Sequence, residues 1–137
     1  MPKLYLIRGL PGSGKTTFAK SLGIFHVEQD MRLVRDGKYT WTKESVTSAV
    51  AFCRTAAKLA MLEGMDLVIS NTFARRFEMQ FYLDLANRLG YEVCVFKACN
   101  DFGSIHNVPE ESMKAMRDRW EDFEGELRLP APPQART

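Results

Sequence analysis

Apolar residues fall into four short runs, separated by longer stretches in which they recur every three or four positions. Lys3 to Arg8 contains Leu-Tyr-Leu-Ile, Phe25 to Glu28 is a shorter run ending at Asp30, Asp66 to Asn71 contains Leu-Val-Ile, and Tyr91 to Ala98 is the fourth. Continuous apolar runs of this length read as strands buried on both faces. The intervening stretches read as helices. One runs to about Leu22 before Gly23. A second is capped by Thr42, has Glu44 in its first turn and ends before Gly64, with Val46, Val50, Cys53, Ala57 and Ala60 on one face. A third spans about Arg76 to Leu89, is stopped by Gly90 and buries Met79, Tyr82, Leu83, Ala86 and Leu89. Pro109, followed by Glu110 and Glu111, opens a last helix that reaches about Glu124.

Alternating strands and helices predict an α/β domain: a small parallel sheet of about four strands with helices on both faces. Residues 31–41, with Asp36-Gly37, read as a surface excursion, and 99–108 as a loop. Residues 1–125 form one domain, and 126–137, with Pro130, Pro132 and Pro133, read as a Pro-rich disordered tail. No internal repeat is present.

The chain has 137 residues, enough for one core. Nineteen Lys and Arg against 17 Asp and Glu leave a net charge of +2, which advertises no strong field for nucleic acid or membrane but leaves room for a local basic cleft. Cys53, Cys94 and Cys99 are odd in number and lack C-x-x-C spacing, so they read as reduced thiols of a cytoplasmic protein and argue against zinc. No run approaches the roughly 20 apolar residues of a membrane span, and the first apolar run is too short for a signal peptide.

Residues 9 to 16 change the picture. Gly-Leu-Pro-Gly-Ser-Gly-Lys-Thr follows the first strand and precedes a helix-forming segment, the context that G-x-x-x-x-G-K-[ST] requires. Glycines at 9, 12 and 14 allow positive φ, turning N–H groups inward as an anion cradle. Lys15 then meets the β- and γ-phosphates and the Thr16 hydroxyl ligates Mg²⁺. Gly9, Leu10, Pro11, Gly12, Ser13, Gly14, Lys15, Thr16 and Thr17 are thus the expected nucleotide-binding residues, with ATP and Mg²⁺ as cofactors. Four strands around such a loop point to a minimal P-loop kinase fold.

Ligands of parallel sheets sit beyond the carboxyl ends of the strands. Asp30, after the second strand, can accept the proton of an attacking hydroxyl, or can cap the following turn. No Asp ends the third strand. Asn71 and Thr72 stand there instead, able to bind substrate or to make strand-end turn contacts. Charge on a transferring phosphoryl group calls for guanidinium donors, and Arg32, Arg35, Arg75, Arg76, Arg117 and Arg119 are candidates. Arg75 and Arg117 are assigned to catalysis, and Arg32 to substrate. Among the aromatics of these loops, Tyr39, Phe73 and Phe102 could stack on a base, while Trp41 and Trp120 read as packing. His106 could reach phosphate or bond the backbone. His26, inside a short strand, reads as structural.

Gly-Leu-Pro-Gly-Ser-Gly-Lys-Thr-Thr, then Glu-Gln-Asp-Met and Asp-Gly-Lys-Tyr-Thr-Trp, then Ile-Ser-Asn-Thr-Phe and Ile-His-Asn-Val-Pro-Glu-Glu, in this order, resemble the kinase module of phage polynucleotide kinases. The likeness is strongest to the short stand-alone versions and covers about residues 3–124. It implies transfer of the ATP γ-phosphate to a nucleic-acid hydroxyl in the host cytoplasm, with DNA the foremost partner. That hydroxyl is either a strand 5′-hydroxyl or the hydroxymethyl of 5-hydroxymethyluracil on the way to hypermodified thymidine. It also implies Lys15 and Thr16 as phosphate and Mg²⁺ residues and Asp30 as base. Asn71 stands where the family often has Asp, and Gly103 where strand-end kinases carry a lid arginine. No Arg lies between Arg88 and Arg117, a departure that favours the modified-base hydroxyl. The alternatives are a nucleotide or small-molecule kinase, or a non-catalytic nucleotide-binding module.

Overall fold

The computed structural model describes residues 1–29, 42–99 and 109–129, together with the backbone of 34–35 and 38–39. Strand β1 (Lys3–Arg8) leads through the glycine-rich loop into helix α1 (Lys15–Ser21), followed by β2 (Phe25–Val27). Val34–Arg35 (β3) and Lys38–Tyr39 (β4) form a separate antiparallel pair. Helix α2 (Lys43–Leu62), β5 (Leu67–Asn71), α3 (Phe77–Leu89), β6 (Glu92–Ala98), α4 (Glu110–Asp118) and β7 (Leu127–Leu129) complete the described chain.

The main sheet has five strands in the order β2-β5-β1-β6-β7, and every pairing in it is parallel. Period-two alternation sorts the side chains of β1 and β5. Leu4, Leu6, Leu67 and Ile69 face α2 and α3, where Cys53, Ala57, Met79, Tyr82 and Ala86 complete the larger core. Tyr5, Ile7 and Val68 face α1, against Ala19, Phe18 and Leu22. A sheet covered on both faces is why these strands appear in the sequence as unbroken apolar runs.

Helix α2 begins as its composition predicts. Thr42 accepts from the Ser45 N–H at 3.0 Å, and the Ser45 hydroxyl accepts from the Thr42 N–H at 2.8 Å, closing a capping box. In α3 the buried face is Met79, Tyr82, Leu85 and Ala86. Leu83 is only partly buried and Leu89 is 36 % exposed, so the expected stripe is rotated by about one position towards Leu85.

Two expectations for the C-terminal region are corrected. Helix α4 stops at Asp118 rather than near Glu124, because the backbone beyond it is needed elsewhere: the Glu121 N–H donates to the Ala74 carbonyl at 2.8 Å. Residues 127–129 are no tail but a fifth strand, pairing Phe96 with Leu127 and Ala98 with Leu129. The sheet therefore has one strand more than the apolar runs indicate. A three-residue edge strand ending at a proline carries almost no periodicity to detect. Residues 130–137 lie outside the described residues.

Arg8 fastens this region to the centre of the sheet. Its side chain is fully buried and donates from Nη2 to the carbonyls of Phe73 (2.7 Å), Ala74 (3.2 Å) and Glu121 (2.6 Å), from Nε to Phe73 (3.1 Å) and from Nη1 to Glu126 Oε1 (2.8 Å). The Trp120 ring lies 4.3 Å from the guanidinium carbon. Phe73 is the single described non-glycine residue at positive φ (47°), and its carbonyl takes two of these bonds. Arg8→Met is expected to destabilise the fold by about 3–5 kcal/mol, since Glu126 and three carbonyls lose their donor in a buried site. Glu126→Gln, which keeps an acceptor, should cost about 1–2 kcal/mol. Urea unfolding followed by circular dichroism measures both, and a loss below 1 kcal/mol for Arg8→Met would contradict the clamp.

Candidate active site

The carboxyl ends of β2, β5, β1, β6 and β7 meet at one rim, where Arg8 pairs with Asn71 on one side and Lys97 on the other. The glycine-rich loop rises from the middle strand of that rim. Gly12 (φ 82°) and Gly14 (φ 92°) have the left-handed backbone that only glycine adopts without strain. Gly9 is required for a different reason. A Cβ there would collide with Ser13 Oγ and sit 3.0 Å from the Ala98 carbonyl oxygen, so a side chain at this position would have to displace Ser13. Positive φ at all three glycines, expected from the motif, holds for Gly12 and Gly14, while Gly9 serves close approach. The Gly9 N–H donates to the Thr72 carbonyl at 3.2 Å, which seats the loop against the end of β5. Lys15, the first residue of α1, is buried at 9 % exposure.

On the β2–β5 side of the loop lies a polar cluster that the motif alone does not reveal. Glu28 Oε2 accepts from Thr16 Oγ1 and from Ser70 Oγ, both at 2.9 Å. His26 Nε2 lies 2.6 Å from Ser70 Oγ and 3.5 Å from Glu28 Oε2. The single hydroxyl hydrogen of Ser70 goes to Glu28, so His26 Nε2 carries the hydrogen shared with Ser70. Burial pushes the Glu28 carboxyl upward, but the hydrogen bonds from His26, Thr16 and Ser70 outweigh it and hold the group below the ordinary carboxylate value.

Asn71 is 5 % exposed. Its Oδ1 accepts the Gln29 N–H at 2.7 Å and its Nδ2 points at Cys53 Sγ, 4.0 Å away. These contacts tie β2, β5 and α2 together at the rim. Thr72 contributes its carbonyl to Gly9, leaving its half-buried side chain at the rim. Gln29 is the last described residue before Asp30. Asp30, Arg32 and His106 lie outside the described residues, as do Trp41 and Phe102.

On the β6–β7 side a recess of 410 Å³ is lined by Leu10 and Ser13 of the loop and by Lys97, Arg117, Trp120 and Arg128, among others. Lys97 Nζ is 4.9 Å from the Trp120 ring and 3.8 Å from Asp122 Oδ1. Arg117 pairs with Glu110 at 2.6 Å on the surface. Two buried atoms of lining residues, Ser13 Oγ and Trp120 Nε1, have no hydrogen-bond partner among the described residues. Arg75 is exposed at the approach to α3, where its backbone N–H donates to Glu78. The structure therefore brings Arg117, and not Arg75, into one wall with the loop. Phe73 is core at 3 % exposure, packed edge-on to Tyr82, and offers no face to a base.

No three His, Cys, Asp or Glu side chains of the described residues converge as a cation cage. Mg²⁺ needs none, since it keeps waters and takes phosphate oxygens with one or two protein oxygens. The Thr16 hydroxyl fits that requirement. No described helix is long and apolar enough to cross a membrane.

A family model described as an AAA domain matches residues 4–122. An uncharacterized protein of Pasteurella multocida is 28% identical over 134 residues, covering 85% of this chain and 75% of its own. Among solved structures, a sugar kinase from Janibacter sp. superposes with a TM-score of 0.64 at 17% identity, covering 98% of this chain and 89% of that one. The Pnkp1/Rnl/Hen1 complex gives 0.60 at 18% identity, covering 83% of this chain and 38% of that one.

Gly9→Ala should displace Ser13 and weaken nucleoside triphosphate binding at least about tenfold, roughly 1.4 kcal/mol. Wild-type affinity in calorimetric titration would rule out the close-approach account. A depressed Glu28 contributes stability that is full above its unfolded value and lost as pH falls through the folded one. Glu28→Gln should therefore flatten the acid side of the stability profile, read as unfolding midpoint against pH. Parallel profiles for the two proteins would show that Glu28 is not the group responsible.

Proposed function

The chain belongs to the AAA domain family and carries a P-loop kinase-like domain, and on that premise we propose that it transfers the γ-phosphate of ATP to a hydroxyl on nucleic acid. The supporting observation is the arrangement around Lys15: a buried ammonium at the head of α1, in a loop held open by Gly12 and Gly14 and seated on the end of β5. Backbone amides and Lys15 hold the phosphates. Asp30 takes the acceptor proton, entering the chain directly after Gln29, whose N–H is tied to Asn71. The Thr16 hydroxyl would hold Mg²⁺, which would neutralise charge at the phosphates.

In-line transfer puts donor and acceptor on opposite sides of the γ-phosphate. The recess on the β6–β7 side suits the donor nucleoside, with Trp120 as an apolar wall, and the β2–β5 side is left for the acceptor. Arg117, in the recess wall, is better placed than Arg75 to meet transition-state charge. Arg32, Thr72 and His106 would contact the acceptor strand. Its hydroxyl is the hydroxymethyl of 5-hydroxymethyluracil in phage DNA, or otherwise a strand 5′-hydroxyl. A likeness to a complex described elsewhere as an RNA repair complex is in keeping with a polynucleotide acceptor. The sugar kinase and a gluconokinase from Sinorhizobium meliloti favour a second reading, a small-molecule kinase. The absence of Arg between Arg88 and Arg117 weighs against a nucleoside monophosphate kinase, which clamps two sets of phosphates.

Radiolabelled ATP offered with 5-hydroxymethyluracil duplex, 5′-hydroxyl oligonucleotide and panels of sugars and nucleotides tests the reading. Label on either nucleic acid is expected, and label confined to a small molecule would replace this reading with the second. Lys15→Ala should abolish ATP binding and turnover. Asp30→Asn should keep ATP affinity within about twofold and lower turnover at least about a hundredfold. Equal loss of affinity in both variants would remove Asp30 from the role of base.

A further inference from the structure

The usual partner of a phosphate-loop Ser or Thr at a magnesium ion is an aspartate ending a neighbouring strand. Strand β5, which lies beside β1, ends Leu-Val-Ile-Ser-Asn and has no carboxylate. A carboxylate nevertheless reaches the loop hydroxyl from the other side of β5. Glu28 follows the edge strand β2, is 9 % exposed, and its Oε2 takes the hydrogens of both Thr16 Oγ1 and Ser70 Oγ at 2.9 Å. Ser70, one residue before the end of β5, acts as a donor to Glu28.

The direction of the Thr16 bond matters. A hydroxyl has one hydrogen and two lone pairs. With its hydrogen committed to Glu28, Thr16 Oγ1 turns only lone pairs to the phosphate side, and its oxygen becomes more electron-rich beside a full negative charge. That is the state a hard cation requires of an oxygen ligand. The anchoring is rigid: Ser70 fixes Oε2 from β5, and His26 fixes Ser70 at 2.6 Å. We propose that Glu28 is the carboxylate of the metal–nucleotide site, supplied from β2 in place of β5, and that it holds Thr16 and the cation's water shell in position. The inference rests on the phosphate loop binding Mg–ATP and is independent of the acceptor. In this role Glu28 acts through Thr16 and the waters of the cation, so it is a positioning residue.

A purely structural Glu28 would fasten β2 to α1 and affect ATP binding equally with and without metal. The full chain and its Glu28→Gln variant are compared by calorimetric titration with ATP in EDTA and in excess Mg²⁺, and by the loss of free Mn²⁺ signal in electron paramagnetic resonance when ATP is present. Glu28→Gln is expected to bind ATP in EDTA within about twofold of wild type, while losing at least about tenfold of the metal-dependent gain in affinity. Its half-saturating Mn²⁺ concentration should rise by a similar factor. An unchanged metal-dependent gain in the folded variant overturns the proposal. Should Glu28→Gln not fold, Glu28→Asp retains the charge at a shorter reach. An intermediate rise in half-saturating Mn²⁺ then supports the role, and a loss equal in EDTA and in metal overturns it. Absence of ATP binding by wild type would overturn this inference and the phosphate-loop reading together, whereas a failed acceptor panel would touch only the acceptor.

Discussion

Arg8 is the group on which the working end of the sheet depends. It is the last residue of β1 and the one before Gly9, so whatever orients its side chain also orients the start of the phosphate loop. Its guanidinium is shut off from water and directs its donors to Phe73, Ala74, Glu121 and Glu126. Those partners come from the segment after β5 and from the chain leading into β7. One buried cation therefore ties two separate stretches to the end of β1 at the base of the loop. A guanidinium suits the task because five donors leave in one plane, and a lysine could not reach carbonyls in two directions and a carboxylate in a third. The positive φ of Phe73 follows from this demand: turning its carbonyl to Arg8 places a bulky residue in a conformation it rarely adopts.

Around that base the rim divides into two chemically distinct halves. The β2–β5 half is organised by a carboxylate and its donors, Thr16, Ser70 and His26, with Asn71 bridging to Gln29. The β6–β7 half is basic and aromatic, with Lys97, Arg117 and Arg128 around Trp120. On the proposed reading, a triphosphate held by the loop between them would meet the metal on the β2–β5 flank and nucleoside-sized space on the β6–β7 flank. Strand order places the loop between the two halves, because it springs from the central strand and both neighbours end level with it, and the residues at the strand ends make the halves differ.

Much of this was legible in the chain before any coordinates. The runs at Lys3, Phe25, Asp66 and Tyr91 mark four of the five sheet strands, since strands buried on both faces must be continuously apolar. The Thr42 cap and the glycines after α1, α2 and α3 mark helix ends, because those signals are local. On α3, Leu83 and Leu85 both fit a helical stripe, and only tertiary packing, chiefly against α2 and β6, selects Leu85. Strand β7 was not legible, being three residues long and joined to β6 by pairing that no short-range pattern encodes. Phe73 looked available for a base and is packed into the core instead, while Asn71 also bridges β2 to β5, a contact the sequence does not announce.

The sequence by itself determined the phosphate loop, the order of strands and helices around it, and hence the class of ligand. These are consequences of residues close together in the chain, where glycine φ, capping and periodicity act over a few positions. Only the tertiary structure decided which carboxylate meets Thr16, what Arg8 is for, and that Arg117 rather than Arg75 shares a wall with the loop. Thr16 and Glu28 are 12 positions apart, Ser70 and Glu28 are 42, and Arg8 and Glu126 are 118. Hydrogen bonds over such separations depend on how the sheet is ordered and twisted, and neither an arginine nor a glutamate announces in its own sequence neighbourhood whether it will be solvated or buried.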